Sequence, residues 1–99
     1  MNPNKLKDRN ISDLQSVLKM PQGRRVLWRI LQAAQVQQHG FVPGDAYATA
    51  FHCGQRSIGL FLLDEIEQAR SGSYVQMRSE YQAQVTAAQQ QLNQEEEHA

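Results

Sequence analysis

The sequence predicts an all-α fold, namely a small three- to four-helix domain with a long polar C-terminal helix. Apolar residues recur every three or four positions in successive segments, which is typical of amphipathic helices. Connectors rich in glycine, proline or serine separate these segments. No segment shows the apolar–polar alternation of a half-buried strand, and no two-residue hairpin turn is recognisable.

The chain has 99 residues and therefore forms one small domain at most. A chain of this size buries only about 60–65% of the surface that its unfolded form exposes. Its apolar residues concentrate between Leu14 and Tyr81, so the core is smaller than the length suggests. We expect a few kcal/mol of net stability at most, which favours an interaction protein over a free-standing enzyme.

The N-terminal third is predicted to contain a flexible arm and two helices. Residues 1–10 are polar and include Pro3, which is typical of a mobile terminus. A capping box at Ser12 predicts a first helix to about Met20. The second helix is expected over residues 21–37, because proline is tolerated in a first helical turn. Its apolar stripe consists of Leu27, Ile30, Leu31 and Ala34.

A third helix is predicted from about residue 46 to residue 70, with Asp45 as its N-cap. It is apolar over much of its circumference, which predicts a position between layers or at a subunit contact. Whether the helix continues through Gly54 is left open, since glycine disfavours a helix interior. The residues expected on its main apolar side are Tyr47, Phe51, Ile58, Phe61, Leu62, Ile66 and Ala69.

The last helix is expected over about residues 73–96 and carries a weak heptad seam. The chain thus divides into an arm (1–10), a helical domain (11–81) and a Gln/Glu-rich helical extension (82–99). The seam is interpreted as a partner-binding surface, with packing back onto the third helix as the alternative. Its residues are Tyr74, Met77, Tyr81, Val85, Ala88 and Leu92.

The charge is zero overall but unevenly distributed. Residues 1–31 hold seven basic and two acidic side chains, a net charge of +5. Residues 32–69 carry a net charge of −3, and residues 70–99 a net charge of −2. The basic end could meet phosphates, but solvated or internally paired charges are the more common case. We expect ion pairs that join Arg24, Arg25 and Arg56 to Asp64, Glu65 and Glu67, with Arg56, Asp64 and Glu65 as the main set.

A nucleic-acid site is the alternative interpretation of the basic second helix. Arg24, Arg25 and Arg29 could form a basic patch beside Trp28. A neutral chain argues against this, because its binding to DNA would gain little from counterion release. Nucleic acid is therefore the less favoured partner.

No residue set predicts catalysis, a metal or a cofactor. His52 and Cys53 are adjacent and would point about 100° apart on a helix, so they cannot share a metal face. Nothing marks a base for Cys53 as a nucleophile. The single cysteine suits a reducing compartment, and no apolar run approaches the length of a membrane span. We expect a protein made in the cytoplasm, without a membrane partner.

Two blocks carry a resemblance to a known family. They are Gly23-Arg24-Arg25-Val26-Leu27-Trp28-Arg29-Ile30-Leu31 and Gln55-Arg56-Ser57-Ile58-Gly59-Leu60-Phe61-Leu62-Leu63-Asp64-Glu65-Ile66. Over roughly residues 12–81 the chain resembles a small tailed-phage protein family, often of podovirus type, named after the nineteenth gene product of a Bordetella phage. Neither block is a catalytic signature.

The resemblance implies a phage-encoded protein, made with the late structural genes. Together with the thin core and the long polar helix, it favours a non-enzymatic virion component. Such a component would assemble in several copies on the portal, neck or internal ejection apparatus. A phage regulatory or packaging accessory that binds nucleic acid is the alternative.

Overall fold

The computed structural model describes residues 1–98 and contains four helices. They are α1 (Pro3–Leu18), α2 (Pro21–Ala33), α3 (Ala46–Ala69) and α4 (Ser73–Glu97). Residues 1–98 contain no strand. The predicted all-α class with a long C-terminal helix is therefore confirmed.

Helix α1 begins much earlier than predicted. The Asn2 side chain accepts a hydrogen bond of 2.9 Å from the backbone N–H of Lys5, and Pro3 occupies the first turn. An asparagine cap followed by proline is a strong start signal. The predicted start at Ser12 is wrong, and residues 3–10 are exposed helix rather than an irregular arm.

Helix α2 ends at Ala33, earlier than the predicted residue 37. Gln35 adopts a left-handed backbone conformation with φ of 56°, which a helix cannot accommodate. The turn directs Val36 into the core. Two α3 side chains then satisfy carbonyls at this helix end: Gln55 Nε2 donates to Ala33 (2.6 Å), and Arg56 Nε donates to Val36 (3.3 Å).

Helix α3 is continuous through Gly54, which answers the question that the sequence left open. The Asp45 carboxylate accepts from the backbone N–H of Ala48 at 2.9 Å, as its predicted capping role requires. The predicted apolar side is only partly buried. Leu62, Ile66 and Ala69 face the body, whereas a second set of large apolar residues faces solvent: Tyr47, Phe51, Ile58 and Phe61.

The core lies where all four helices meet. Helix α1 packs on α2 and α3, α2 packs on α3 and α4, and α3 packs on α4. The whole molecule, including the exposed end of α4, is flat, with dimensions of 62 × 43 × 17 Å. Its radius of gyration is 17.7 Å, against about 13 Å for a compact domain of this length. The buried apolar residues are Leu18, Leu27, Trp28, Leu31, Ala34, Val36, Ile66, Ala69 and Met77.

Candidate functional site

Arg24 joins three helices at one end of the body. Its Nε and Nη2 atoms donate to the Glu80 carboxylate, each with a shortest distance of 2.9 Å. Its Nη1 atom donates to the backbone carbonyl of Leu18 at 2.8 Å. That carbonyl belongs to the last turn of α1, where helix carbonyls lack partners within the helix. This bidentate geometry requires the planar guanidinium group, which lysine lacks.

This junction lowers the pKa of Glu80. The hydrogen bonds from Arg24 are the main cause, and partial burial opposes them. The positive charges of Arg24 and Arg25 and a hydrogen bond from Gln76 also favour the ionised carboxylate. The same pairing raises the pKa of Arg24 above its ordinary value.

A lowered pKa in the folded state makes stability depend on pH. The Glu80 contribution is complete above the ordinary carboxyl pKa of 4.5 and is lost as the pH falls through the lower pKa of the folded state. We expect Glu80→Gln to reduce the unfolding free energy at neutral pH by about 1–2 kcal/mol. The difference from wild type should shrink below pH 4.5. Urea unfolding of both proteins along a pH series measures this difference in unfolding free energy. A difference that stays constant with pH would contradict a lowered pKa of Glu80 in the folded state.

Trp28 lies beside this junction and holds α4 against α2. Its ring centroid is 5.4 Å from that of Tyr74 and 5.6 Å from that of Tyr81. Its Nε1 atom is buried and has no hydrogen-bond partner within residues 1–98. A cleft of about 160 Å³ opens here between α2 and α4. It is lined by Arg24, Arg25, Trp28, Arg29, Met77, Glu80, Tyr81 and Gln84.

The three arginines of the predicted nucleic-acid patch lie in two different environments. Arg24 is engaged by Glu80 and is largely covered. Arg25 and Arg29 are exposed one turn apart on α2 and line the rim of the cleft. Two exposed cations therefore remain at this place, and the third predicted member serves the junction of helices.

The predicted seam of α4 is buried at its start and exposed at its end. Met77 is only 2% exposed and belongs to the chain's own core, so a partner cannot reach it. Tyr74 is partly buried, and Tyr81 is half exposed against Trp28. Every residue from Tyr81 to His98 is exposed. The part of the seam that is open to a partner is therefore Val85, Ala88 and Leu92, a set that we call the distal seam.

The predicted ion pairs are absent within residues 1–98, where the one salt bridge is Arg24–Glu80. Arg56 donates to a carbonyl, and Asp64 accepts from Gln68 at 2.8 Å. Glu67 accepts from the backbone N–H groups of Gly72 and Tyr74, and so caps the start of α4. Glu80 was missed because it lies 56 residues from Arg24 and carries no local signal of the pairing.

The two sequence blocks that carried the resemblance contain residues that determine how helices pack against each other. In the first, Gly23 lies so close to Val17 that any Cβ would collide with its carbonyl group, and Arg24 forms the three-helix junction. In the second, Gln55 and Arg56 cap the end of α2. Gly59 lies directly against Ala34 and Val36, with no room for a Cβ. Both blocks therefore fix how α1, α2 and α3 meet.

Residues 1–98 contain no cluster of three or more histidine, cysteine or acidic side chains that could hold a metal ion. Cys53 is exposed. None of the helices in this range combines the length and the apolar character needed to cross a membrane.

The fold and its two packing blocks define a small all-α protein whose distinctive residues position helices. A family model described as Bbp19-like phage protein matches residues 14–79, which agrees closely with the extent of the resemblance. The chain belongs to this family of phage proteins. Comparisons with curated proteins and with solved structures returned no significant match. The matched range ends just before Tyr81, where the fully exposed part of α4 begins.

Proposed function

We propose that this phage protein is a non-enzymatic structural or accessory component of the virion. In this proposal it is made in the host cytoplasm and assembles in several copies on a larger part of a short-tailed particle. The portal, the neck and the internal ejection apparatus are the candidates. In this proposal the packed body contacts neighbouring copies, and the distal seam of α4 binds the larger component.

One observation carries the proposal: α4 continues beyond the body as an exposed helix that keeps an apolar spacing. Val85, Ala88 and Leu92 are separated by three and four residues and lie on one side of the helix. From residue 82 to residue 97 the helix is about 24 Å long. An amphipathic helix of this kind suits a groove between helices of a partner, with the apolar residues as anchors.

The thin, flat shape of the molecule also favours docking onto a larger component. A plate 17 Å thick exposes a large surface relative to its core, so docking would add stability that the chain alone lacks. The characteristic residues of both family blocks serve helix packing, which suits a protein that acts through its shape.

Charge substitutions on the distal seam test the proposal. We expect Val85→Asp combined with Leu92→Asp to leave the fold and thermal stability nearly unchanged, because both residues are exposed in the free protein. The pair should abolish incorporation into particles, since two carboxylates would be buried in an apolar contact. Quantitative mass spectrometry of purified particles measures the incorporation.

The chain offers a matched control on the opposite side of the same helix. Ala87→Asp combined with Gln94→Asp adds the same charges at the same seven-residue separation, about 160° around the helix from Val85 and Leu92. Normal incorporation of this control together with loss of the seam variant supports the proposal. Equal incorporation of both variants would overturn it. Tyr81 is left unchanged because it packs on Trp28.

The alternative is a regulatory or packaging accessory that binds nucleic acid. The exposed pair Arg25 and Arg29 favours it, although Arg24 is already engaged by Glu80. This alternative requires salt-sensitive retention of DNA by the wild-type protein. It also requires that Arg25→Ala combined with Arg29→Ala weaken the retention and flatten its salt dependence.

A further inference from the structure

The outer side of α3 is an exposed apolar stripe that no part of residues 1–98 covers. Tyr47 is 91% exposed, Phe51 67%, Ile58 69% and Phe61 63%. Ile58 and Gly59 are consecutive, so the stripe points about 100° away from the buried side that Gly59 marks. Gly54 fills the one remaining position, and the five residues follow the four-three spacing of a helix–helix seam.

No contact in the described part of the chain, residues 1–98, explains a glycine at position 54. A Cβ placed at Gly54 would meet no atom within 4 Å, whereas one at Gly59 would collide with Ala34 and Val36. Glycine inside a helix costs about 1 kcal/mol relative to alanine. The close approach of Ala34 and Val36, directly after α2, accounts for Gly59. The same reasoning applied to Gly54 points to another helix that packs closely against it from outside.

The spacing of the stripe indicates what that helix is. Relative to Gly54, the large residues lie at positions −7, −3, +4 and +7. This arrangement is almost symmetric about the glycine. An antiparallel copy of the same helix would place Tyr47 against Phe61 and Phe51 against Ile58 in both directions. Such mutual contact of one patch with itself is the pattern of a two-fold interface.

Charge and area agree with a second copy. Between residues 46 and 63 the one charged residue of α3 is Arg56, which faces the chain's own Val36. The stripe therefore offers no cation for a nucleic acid and no charge for a charged partner, as is typical of interface centres. Two stripes together would bury roughly 1,000 Å², the lower limit for a specific interface.

We propose that α3 pairs in antiparallel orientation with α3 of a second copy, with the helices crossing at Gly54. The contact is weak in free solution and is reinforced where the protein is concentrated on a larger particle. It concerns contact between copies and does not depend on the distal seam. Its failure and the failure of the proposed function are therefore separate results.

Sedimentation and light scattering of the purified protein over a concentration series test the pairing. Wild type should pass from monomer to dimer as the concentration rises. Ile58→Asp should raise the dissociation constant at least about thirtyfold, as expected for a central interface residue. Gly54→Leu should do the same by separating the helices. Val75→Asp is the matched control, because Val75 is an exposed apolar residue of α4 outside the stripe, and it should dimerise as wild type does.

The single cysteine gives a readout that needs no disruptive variant. Cys53 is exposed next to Gly54 and points about 100° away from it around the helix. With helix axes about 8–10 Å apart, two-fold pairing would place the two thiols on the same side of the crossing, roughly 15 Å apart. A bis-maleimide of that length should join wild-type chains into dimers and should fail with Ile58→Asp. Wild-type protein that stays monomeric and is not cross-linked would overturn the proposal. Monomeric protein that binds neutral phosphatidylcholine vesicles through the stripe would overturn it in favour of a lipid surface.

Discussion

Trp28→Ala is expected to unfold much of the protein. Trp28 belongs to the buried core and contacts Tyr74 and Tyr81, so its truncation removes the centre of the α2–α4 contact. Truncation of a buried aromatic side chain costs about 3–5 kcal/mol. A domain with so small a core has only a few kcal/mol of stability in total. Urea unfolding followed by circular dichroism should show a strongly reduced midpoint, with a fraction unfolded even without denaturant.

Trp28→Phe is the matched control for this variant. Phenylalanine keeps most of the aromatic packing and removes the indole N–H, which has no hydrogen-bond partner within residues 1–98. An unpaired buried donor carries a desolvation penalty of about 1–3 kcal/mol. The two effects of the substitution oppose each other, so the loss of stability should be below about 1 kcal/mol. If both variants were equally unstable, the hydrogen-bonding capacity of Trp28 rather than its packing would be the important property.

The two glycines of α3 are expected to respond to alanine in opposite directions. Gly59→Ala would force a Cβ into Ala34 and Val36, and the Ala34 methyl is attached directly to the backbone and cannot turn away. Overpacking of this kind costs about 1–3 kcal/mol, which exceeds the gain in helix propensity. Gly54→Ala meets open space and should raise stability by about 1 kcal/mol.

The comparison is best made in an Ile58→Asp background, because this change removes the proposed pairing and leaves the monomer as the folded species. In that background, Gly54→Ala should raise the urea midpoint and Gly59→Ala should lower it. Stabilisation by both substitutions would mean that α2 and α3 do not approach as closely at Gly59 as the structure shows. In protein without Ile58→Asp, Gly54→Ala should in addition weaken dimer formation.

Much of the fold was predictable because its signals are local. The Asp45 cap, the Gly/Pro connector before it and the helical spacing of the apolar residues gave the number and order of the helices correctly. The start of α1 was misjudged although its cap and proline at Asn2 and Pro3 were present in the sequence. The first two turns of α1 contain only one large apolar residue, Leu6, and periodicity therefore gave no sign of a helix.

The parts that could not be predicted depend on distant contacts. Arg24 could have paired with any of several carboxylates, and only the packing of α4 on α2 selects Glu80. Helix α3 is apolar over most of its circumference, so its sequence did not show which side would face inward. Gly59 determines the side, because Ala34 and Val36, directly after α2, approach it too closely for any side chain.

The central claim, that this phage protein is carried in the virion, is tested most directly by mass spectrometry of purified particles from the source phage. The copy number should be measured against the major capsid protein. The account predicts that the protein is present at a small fixed number per particle. Complete absence from particles, with the protein abundant in infected cells, would contradict it and would make nucleic-acid binding by Arg25 and Arg29 the leading alternative.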